Sequence, residues 1–214
     1  MLNIQRFVVN MIEENCYLLW DDTGEAAIVD CGAYSENDRE TIRRFIEDHH
    51  LTIKLHLLTH SHFDHIFGAQ FVFDTYGLGP SLSKEEAECY RTAPEQMKRF
   101  LHRELPLQLP AAEQFFSAGD TLRFGRQEIQ VIATPGHTPG GVCFYLPAEG
   151  ILLSGDSLFD GSIGRTDFPG GNADDLVSSL KERILTLPDE VTVLPGHGPQ
   201  TTIGNERRYN PWLA

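Results

Sequence analysis

A chain of 214 residues, 41% hydrophobic and 22% charged, can bury a sizeable core and is too apolar for extended disorder. Its formal net charge of −14 repels phosphate backbones and anionic lipid, which argues against nucleic acid or a membrane surface as partner. No apolar run reaches the roughly eighteen residues of a membrane span, and no shift in composition divides residues 1–214, so a single domain is expected.

Residues 1–7 mix Asn3, Gln5 and Arg6 with apolar residues and lack a signal-peptide core. Cys16, Cys31, Cys89 and Cys143 form no C-x-x-C pair, which predicts reduced, mostly buried thiols in a cytoplasmic protein. Cys31 reads as a packed small residue in preference to a metal neighbour. Runs 2–9, 16–20 and 26–29 are rich in β-branched or aromatic residues, with a turn at Asp21-Asp22-Thr23-Gly24, and predict a meander of strands. Asp30 ends the third run, either as a turn residue or as a carboxylate that orients a histidine from behind.

Residues 36–50 predict an amphipathic helix capped by Ser35, with His49 and His50 suited to the dipole at its end and given no chemistry. An apolar strand over 55–58 then delivers His60-Ser61-His62-Phe63-Asp64-His65. Side chains two apart share a face, so His60 and His62 point one way on an extended exit from the strand. Asp64 and His65 open a helix reaching about Tyr76 and face a neighbouring point. One cation could bind each pair, because imidazole and carboxylate are the ligands that zinc and related metals take.

Ser83-Lys84-Glu85-Glu86 predicts the start of a helix running to about His102, a surface residue, with an interruption near Pro94. Pro106 and Pro110 bound a loop, and the segment 81–116 reads equally as a lid or a surface excursion. Strands over 121–124 and 128–133 lead to Pro135-Gly136-His137-Thr138-Pro139-Gly140-Gly141, where proline and glycine fix the backbone and clear room around one imidazole. A hairpin over 142–146 and 150–153 precedes Asp156, a carboxylate placed to bridge two cations. The glycine-rich stretch 160–171 lacks phosphate-loop spacing; Arg165 and Asp167 are expected to pair within it, with a contact from Arg165 to a substrate carboxylate as the second reading. A helix over 173–187 and a strand over 191–194 deliver Pro195-Gly196-His197-Gly198-Pro199, the same presentation as at His137.

Asp30, the His60 to His65 loop, His137, Asp156 and His197, in this order and each at a strand end, resemble the metallo-β-lactamase superfamily and, within it, the glyoxalase II-like hydrolases. The resemblance spans nearly the whole chain. It implies an α/β fold, a four-layer αβ/βα sandwich of two mixed β-sheets face to face with helices outside and the site at one edge. By position it implies that His60, His62 and His137 hold one metal and Asp64, His65 and His197 another, with Asp156 bridging and Asp30 behind. Asp64 and Asp156 are the carboxylates it assigns to catalysis, as ligands, and Asp64 is not required as a general base. His62 stands where flavodiiron proteins carry glutamate, Phe63 where tRNA-processing members usually carry glycine, and Asp156 where secreted lactamases place cysteine. Gly164-Arg165-Thr166-Asp167-Phe168 is similar to short bacterial glyoxalase II-like proteins and to persulfide dioxygenases. Seventeen residues follow His197, where glyoxalase II proper carries a helical domain that helps bind glutathione.

The expected function is hydrolysis of a thioester such as S-lactoylglutathione by a metal-bridging hydroxide. The expected cofactors are two divalent ions, zinc first, with iron or manganese as alternatives. The partner is a small-molecule thioester, with no nucleic acid, no membrane and no oligomeric state assigned. The alternative is a persulfide dioxygenase with one iron on His60, His137 and Asp156; a metal-binding module without turnover is the third reading.

Overall fold

The computed structural model describes residues 1–102 and 105–214. Two six-stranded mixed sheets form its centre. The first is ordered β1 (Asn3–Val9), β2 (Glu14–Trp20), β3 (Glu25–Val29), β4 (Thr52–Leu57), β5 (Ser81–Ser83) and β6 (Gln114–Phe116). Its first three strands are antiparallel and the rest run parallel, because α1 (Glu36–Asp48), α3 (Ala69–Tyr76) and the helix over 87–101 lie in the crossovers. The second sheet holds β7 (Thr121–Phe124), β8 (Gln127–Ala133), β9 (Val142–Leu146), β10 (Ile151–Gly155), β13 (Thr192–Pro195) and β14 (Thr201–Thr202), in the order β14-β13-β10-β9-β8-β7. Only β10 and β13 are parallel there, joined through the small hairpin β11 (Leu158–Phe159) and β12 (Ser162–Ile163) and through α5 (Ala173–Ser179), whose last turn widens over Leu180–Ile184.

Alternation of side chains along the strands sets the layers. Tyr17, Leu19, Ala27, Val29 and Leu57 point inward and meet Phe124, Ile129, Val131, Phe144 and Leu153 of the other sheet. Their neighbours Cys16, Leu18, Ala26 and Ile28 point outward, where Ile42 and Ile46 of α1 and Phe71 and Val72 of α3 cover them. On the far side, Cys143, Tyr145 and Leu152 pack under Leu176 of α5, Leu180, Ile184 and Ile203 of α6 (Ile203–Tyr209). This helix-sheet-sheet-helix stack is the expected sandwich. Ser35 caps α1 through a reciprocal capping box with Asp38, as its position suggested.

Three local expectations change. The helix expected from Asp64 to Tyr76 divides into α2 (Phe63–Ile66) and α3, because the Gly68 N–H donates to the Cys31 carbonyl at 2.8 Å and the Asp64 carbonyl accepts from Asn10 Nδ2 at 2.9 Å, so the i to i−4 bond between them is not made. The helix α4 (Ala87–Leu101) runs unbroken through Pro94. A proline inside a helix costs about 3 kcal/mol, yet Tyr90, Ala93 and Met97 share one buried face against Leu58, Ile66, Leu82, Phe63 and Phe67, and that packing outweighs the lost bond. Ser83 ends strand β5 and precedes a short turn before α4 without capping it, its hydroxyl donating instead to the Gly140 carbonyl at 2.6 Å, and the segment 81–116 extends the first sheet and lays a helix over the histidine-bearing loop; its residues 103 and 104 lie outside the described residues.

Candidate metal centre

Each candidate side chain leaves the end of a strand at one edge of the sandwich. From the first sheet, β3 ends in Asp30, and β4 runs into the loop bearing His60 and His62, after which α2 presents Asp64 and His65 in its first turn. From the second sheet, β8 delivers His137, β10 delivers Asp156 and β13 delivers His197. All seven residues named as ligands meet there.

Two triplets result. Ligand atoms of His60, His62 and His137 lie within 4.8 Å of one another, and so do those of Asp64, His65 and His197. Asp156 stands between them: its Oδ2 is 4.0 Å from His60 Nε2, 3.5 Å from His137 Nε2 and 3.8 Å from His197 Nε2, and its Oδ1 is 3.3 Å from His65 Nε2. His197 Nε2 also sits 3.1 Å from Asp64 Oδ2. Asp30 comes close to His60 and His65 as well. Its oxygens accept from Thr59, the backbone N–H at 2.8 Å and the hydroxyl at 2.6 Å, which braces Asp30 behind the two histidines.

The far nitrogen of several rings is held by the protein. His137 Nδ1 donates to the Arg165 carbonyl at 2.6 Å and His60 Nδ1 lies 3.1 Å from Thr59 Oγ1, whereas His65 Nδ1 faces Asp30 Oδ2 at 3.2 Å without a hydrogen bond. The Nε2 atoms of His60, His65 and His137 and Oδ1 of Asp156 are then buried with no hydrogen-bond partner. A buried polar atom left unpaired costs roughly 1–3 kcal/mol, so four together at one point fit a centre built to give its lone pairs to cations.

Electrostatics follow from burial and crowding. Burial drives His60 well below the ordinary imidazole value, assisted by His65 and His62, and lowers His62 to about 3. Burial opposes protonation of His65 too, but Asp156 and Asp64 overcome it and raise its pKa well above the ordinary range. For Asp156 burial favours the neutral acid, and the surrounding His65, His60 and His137 reverse that and hold it ionised. Asp64 is lowered in the same way, against burial, by His65 and His197.

Sequence reasoning missed the residues that hold these loops together. Glu86, fully buried, accepts from Ser61 N–H and Oγ with one oxygen and from Thr138 Oγ1 and Gly140 N–H with the other, at 2.8–3.0 Å. Asn15 donates to the carbonyls of Pro195 and Gly198, and Tyr17 OH donates to Pro195, which pins the loop of His197. Glu14, raised well above the carboxylate range by burial, accepts from Gly32 N–H. Nothing local distinguishes Glu86 from Glu85, so no sequence signal could have singled it out.

Residues outside the cluster fall where expected. Arg165 pairs with Asp167 through two bonds of 2.7 Å and stacks on Phe168. Cys31 is buried among core side chains. His49 stacks on Phe45 at the end of α1.

Residues 12–197 match the profile of the metallo-beta-lactamase superfamily. The chain is 38% identical over 213 residues to the hydroxyacylglutathione hydrolase GloC of Haemophilus influenzae, covering 99% of this chain and 98% of that protein. Among solved structures it is similar to the BLEG-1 B3 metallo-beta-lactamase, at 36% identity and a TM-score of 0.91 over 99% of this chain and 100% of the other. It is also similar to TTHA1623 in a di-iron-bound form, at 35% identity and a TM-score of 0.86 over 98% of this chain and 100% of that one. With the profile covering most of its length and every strand-end residue gathered at one edge, the chain belongs to the metallo-beta-lactamase superfamily.

Proposed function

We propose that this protein hydrolyses thioesters, with a hydroxyacyl thiol such as S-lactoylglutathione as the representative substrate. Two divalent cations would be held by His60, His62 and His137 and by Asp64, His65 and His197, with Asp156 shared. The observation that carries this reading is the convergence of unpartnered imidazole nitrogens on the one carboxylate of Asp156. Similarity to a relative named hydroxyacylglutathione hydrolase supports the substrate class. Zinc suits such a donor set, and iron suits it too, as in the related di-iron structure.

When bound, a cation pair of this kind supplies hydroxide at neutral pH and polarises a carbonyl oxygen. The chain's own residues do the rest. Thr59 and the Arg165 carbonyl engage Nδ1 of His60 and His137 and keep each Nε2 lone pair directed inward. Asp30 faces Nδ1 of His65 from the side away from Asp156. Asp156 and Asp64 stay anionic and neutralise positive charge at the centre, and Glu86 fixes the spacing between the two histidine loops.

The test is metal content per chain together with hydrolysis of S-lactoylglutathione, before and after His60→Ala. Close to two metals and a metal-dependent release of thiol that His60→Ala abolishes are expected; unchanged turnover in the variant would sink the assignment. Close to one iron, with oxygen uptake on glutathione persulfide, would favour the dioxygenase on His60, His137 and Asp156.

A further inference from the structure

Beside the candidate metal centre, between the loop of His62 and the C-terminal half of α4, lies a cavity of about 150 Å³. Its walls are His62, Phe63, Phe100, Phe168 and Pro169, with Gln96 and Arg99 on the α4 side. The ring of Phe100 lies 5.5 Å from those of both Phe63 and Phe168, and Phe168 lies 5.2 Å from His62. Three phenyl rings and one imidazole therefore wall a half-open space, and the imidazole is one of the proposed ligands. Phe168 is fixed from outside by the Arg165 guanidinium 4.0 Å from its centroid, itself held to Asp167. Gln96 already donates to Thr92 Oγ1. Phe100 remains 43% exposed, an apolar ring left open beside the centre.

We infer that this cavity receives the acyl side of the substrate, and that the preferred acyl group carries an apolar substituent of about six carbons, aryl or branched alkyl. An apolar space of this volume holds a benzene-sized molecule, whereas a lactoyl methyl would leave most of it empty. The thiol side does not compete for the space. Glutathione carries two carboxylates and an ammonium group, whose desolvation among three phenylalanines is costly, so it extends along the open side of the cavity, where Arg99 stands. The chemistry is unchanged: water adds across the C–S bond, giving a carboxylic acid and a free thiol. The inference rests on the thioesterase reading for its reaction and on the cavity for its selectivity.

Two measurements separate these. The first is kcat/KM of the metal-loaded protein and of Phe100→Ala and Phe168→Ala on S-lactoylglutathione and S-mandeloylglutathione, which differ by phenyl for methyl at one carbon. The wild-type protein is expected to prefer mandeloyl by tenfold or more, and either variant to bring that ratio toward one. The second is calorimetric binding of the products, mandelate and lactate, to the same three proteins. Mandelate is expected to bind at least tenfold tighter, with the advantage lost in Phe100→Ala. Equal binding of the two acids, or a mandeloyl preference that survives both variants, overturns the cavity's role. A retained preference for mandelate with no turnover of either thioester overturns the hydrolase reading alone.

Discussion

Glu86 and Ser61 are joined twice, by the backbone N–H at 3.0 Å and the hydroxyl at 2.8 Å, both given to one carboxylate oxygen. Ser61 stands between His60 and His62, and the second oxygen of Glu86 holds Thr138 and Gly140 beside His137. One buried side chain thus sets the separation of the three imidazoles in the first triplet. Glu86→Ala leaves the buried donors of Ser61, Thr138 and Gly140 unsatisfied and is expected to lower stability by about 3–5 kcal/mol. Glu86→Gln keeps the shape but turns an amide N–H toward donors, and should weaken metal affinity tenfold or more while the fold persists. Competition with a chromogenic chelator, alongside urea unfolding, reads both; unaltered affinity in the glutamine variant would remove Glu86 from the centre's architecture.

Gly196 approaches the centre so closely that a Cβ would meet Asp156 Oδ1 and lie 2.7 Å from His65 Cε1. Gly196→Ala must therefore push Asp156 or His65 aside. Loss of at least one equivalent of bound metal is expected, with the circular dichroism spectrum retained. Full metal occupancy in the variant would mean the loop has slack that the packing does not show.

His56 is buried on β4, and burial lowers its pKa to about 4. An unfolded histidine titrates near 6.5, so the folded protein binds fewer protons between these values. The neutral form's full contribution is present above about pH 6.5 and is lost as pH falls toward 4, by about 3 kcal/mol at most. In metal-free protein, the stability advantage of His56→Leu relative to wild type should widen over that interval. Parallel curves from urea unfolding at pH 7, 5.5 and 4.5 would contradict the assignment.

Chelation should destabilise the protein and make its metal affinity steeply pH-dependent. Ligands bound only to the folded state stabilise by RT ln(1 + [L]/Kd), about 4 kcal/mol at a thousandfold excess over Kd. His65 and His197 have raised pKa values in the metal-free centre, both against burial: Asp156 and Asp64 raise His65, and Asp64 and Asp156 raise His197. Cations must displace those protons, so affinity weakens on acidification and binding releases protons. Calorimetry in buffers of different ionisation enthalpy would detect the release; identical heats in all buffers would exclude it.

The sandwich and the gathering of Asp30, His60, His62, Asp64, His65, His137, Asp156 and His197 were legible because each residue is presented by a local device. Prolyl-glycyl turns frame His137 and His197, and an apolar strand precedes His60. Supporting contacts were not legible, since Asn15 reaches Pro195 across 180 residues and Glu86 reaches Gly140 across 54, separations at which sequence carries no pairing signal. The unbroken path of α4 through Pro94 was hidden for a related reason. Tertiary burial of Tyr90, Ala93 and Met97 overrode a local propensity.

Because the first sheet supplies His60, His62, Asp64 and His65 while the second supplies His137, Asp156 and His197, cations bound among them would cross-link two layers otherwise joined by side-chain packing and a few hydrogen bonds. Such a link has no covalent strain and is reversible. Sliding of the layers would pull the two ligand sets apart, so bound metal would oppose it, and hydrogen exchange of the backbone amides at this edge of the two sheets should slow on metal binding while the metal-free protein stays folded.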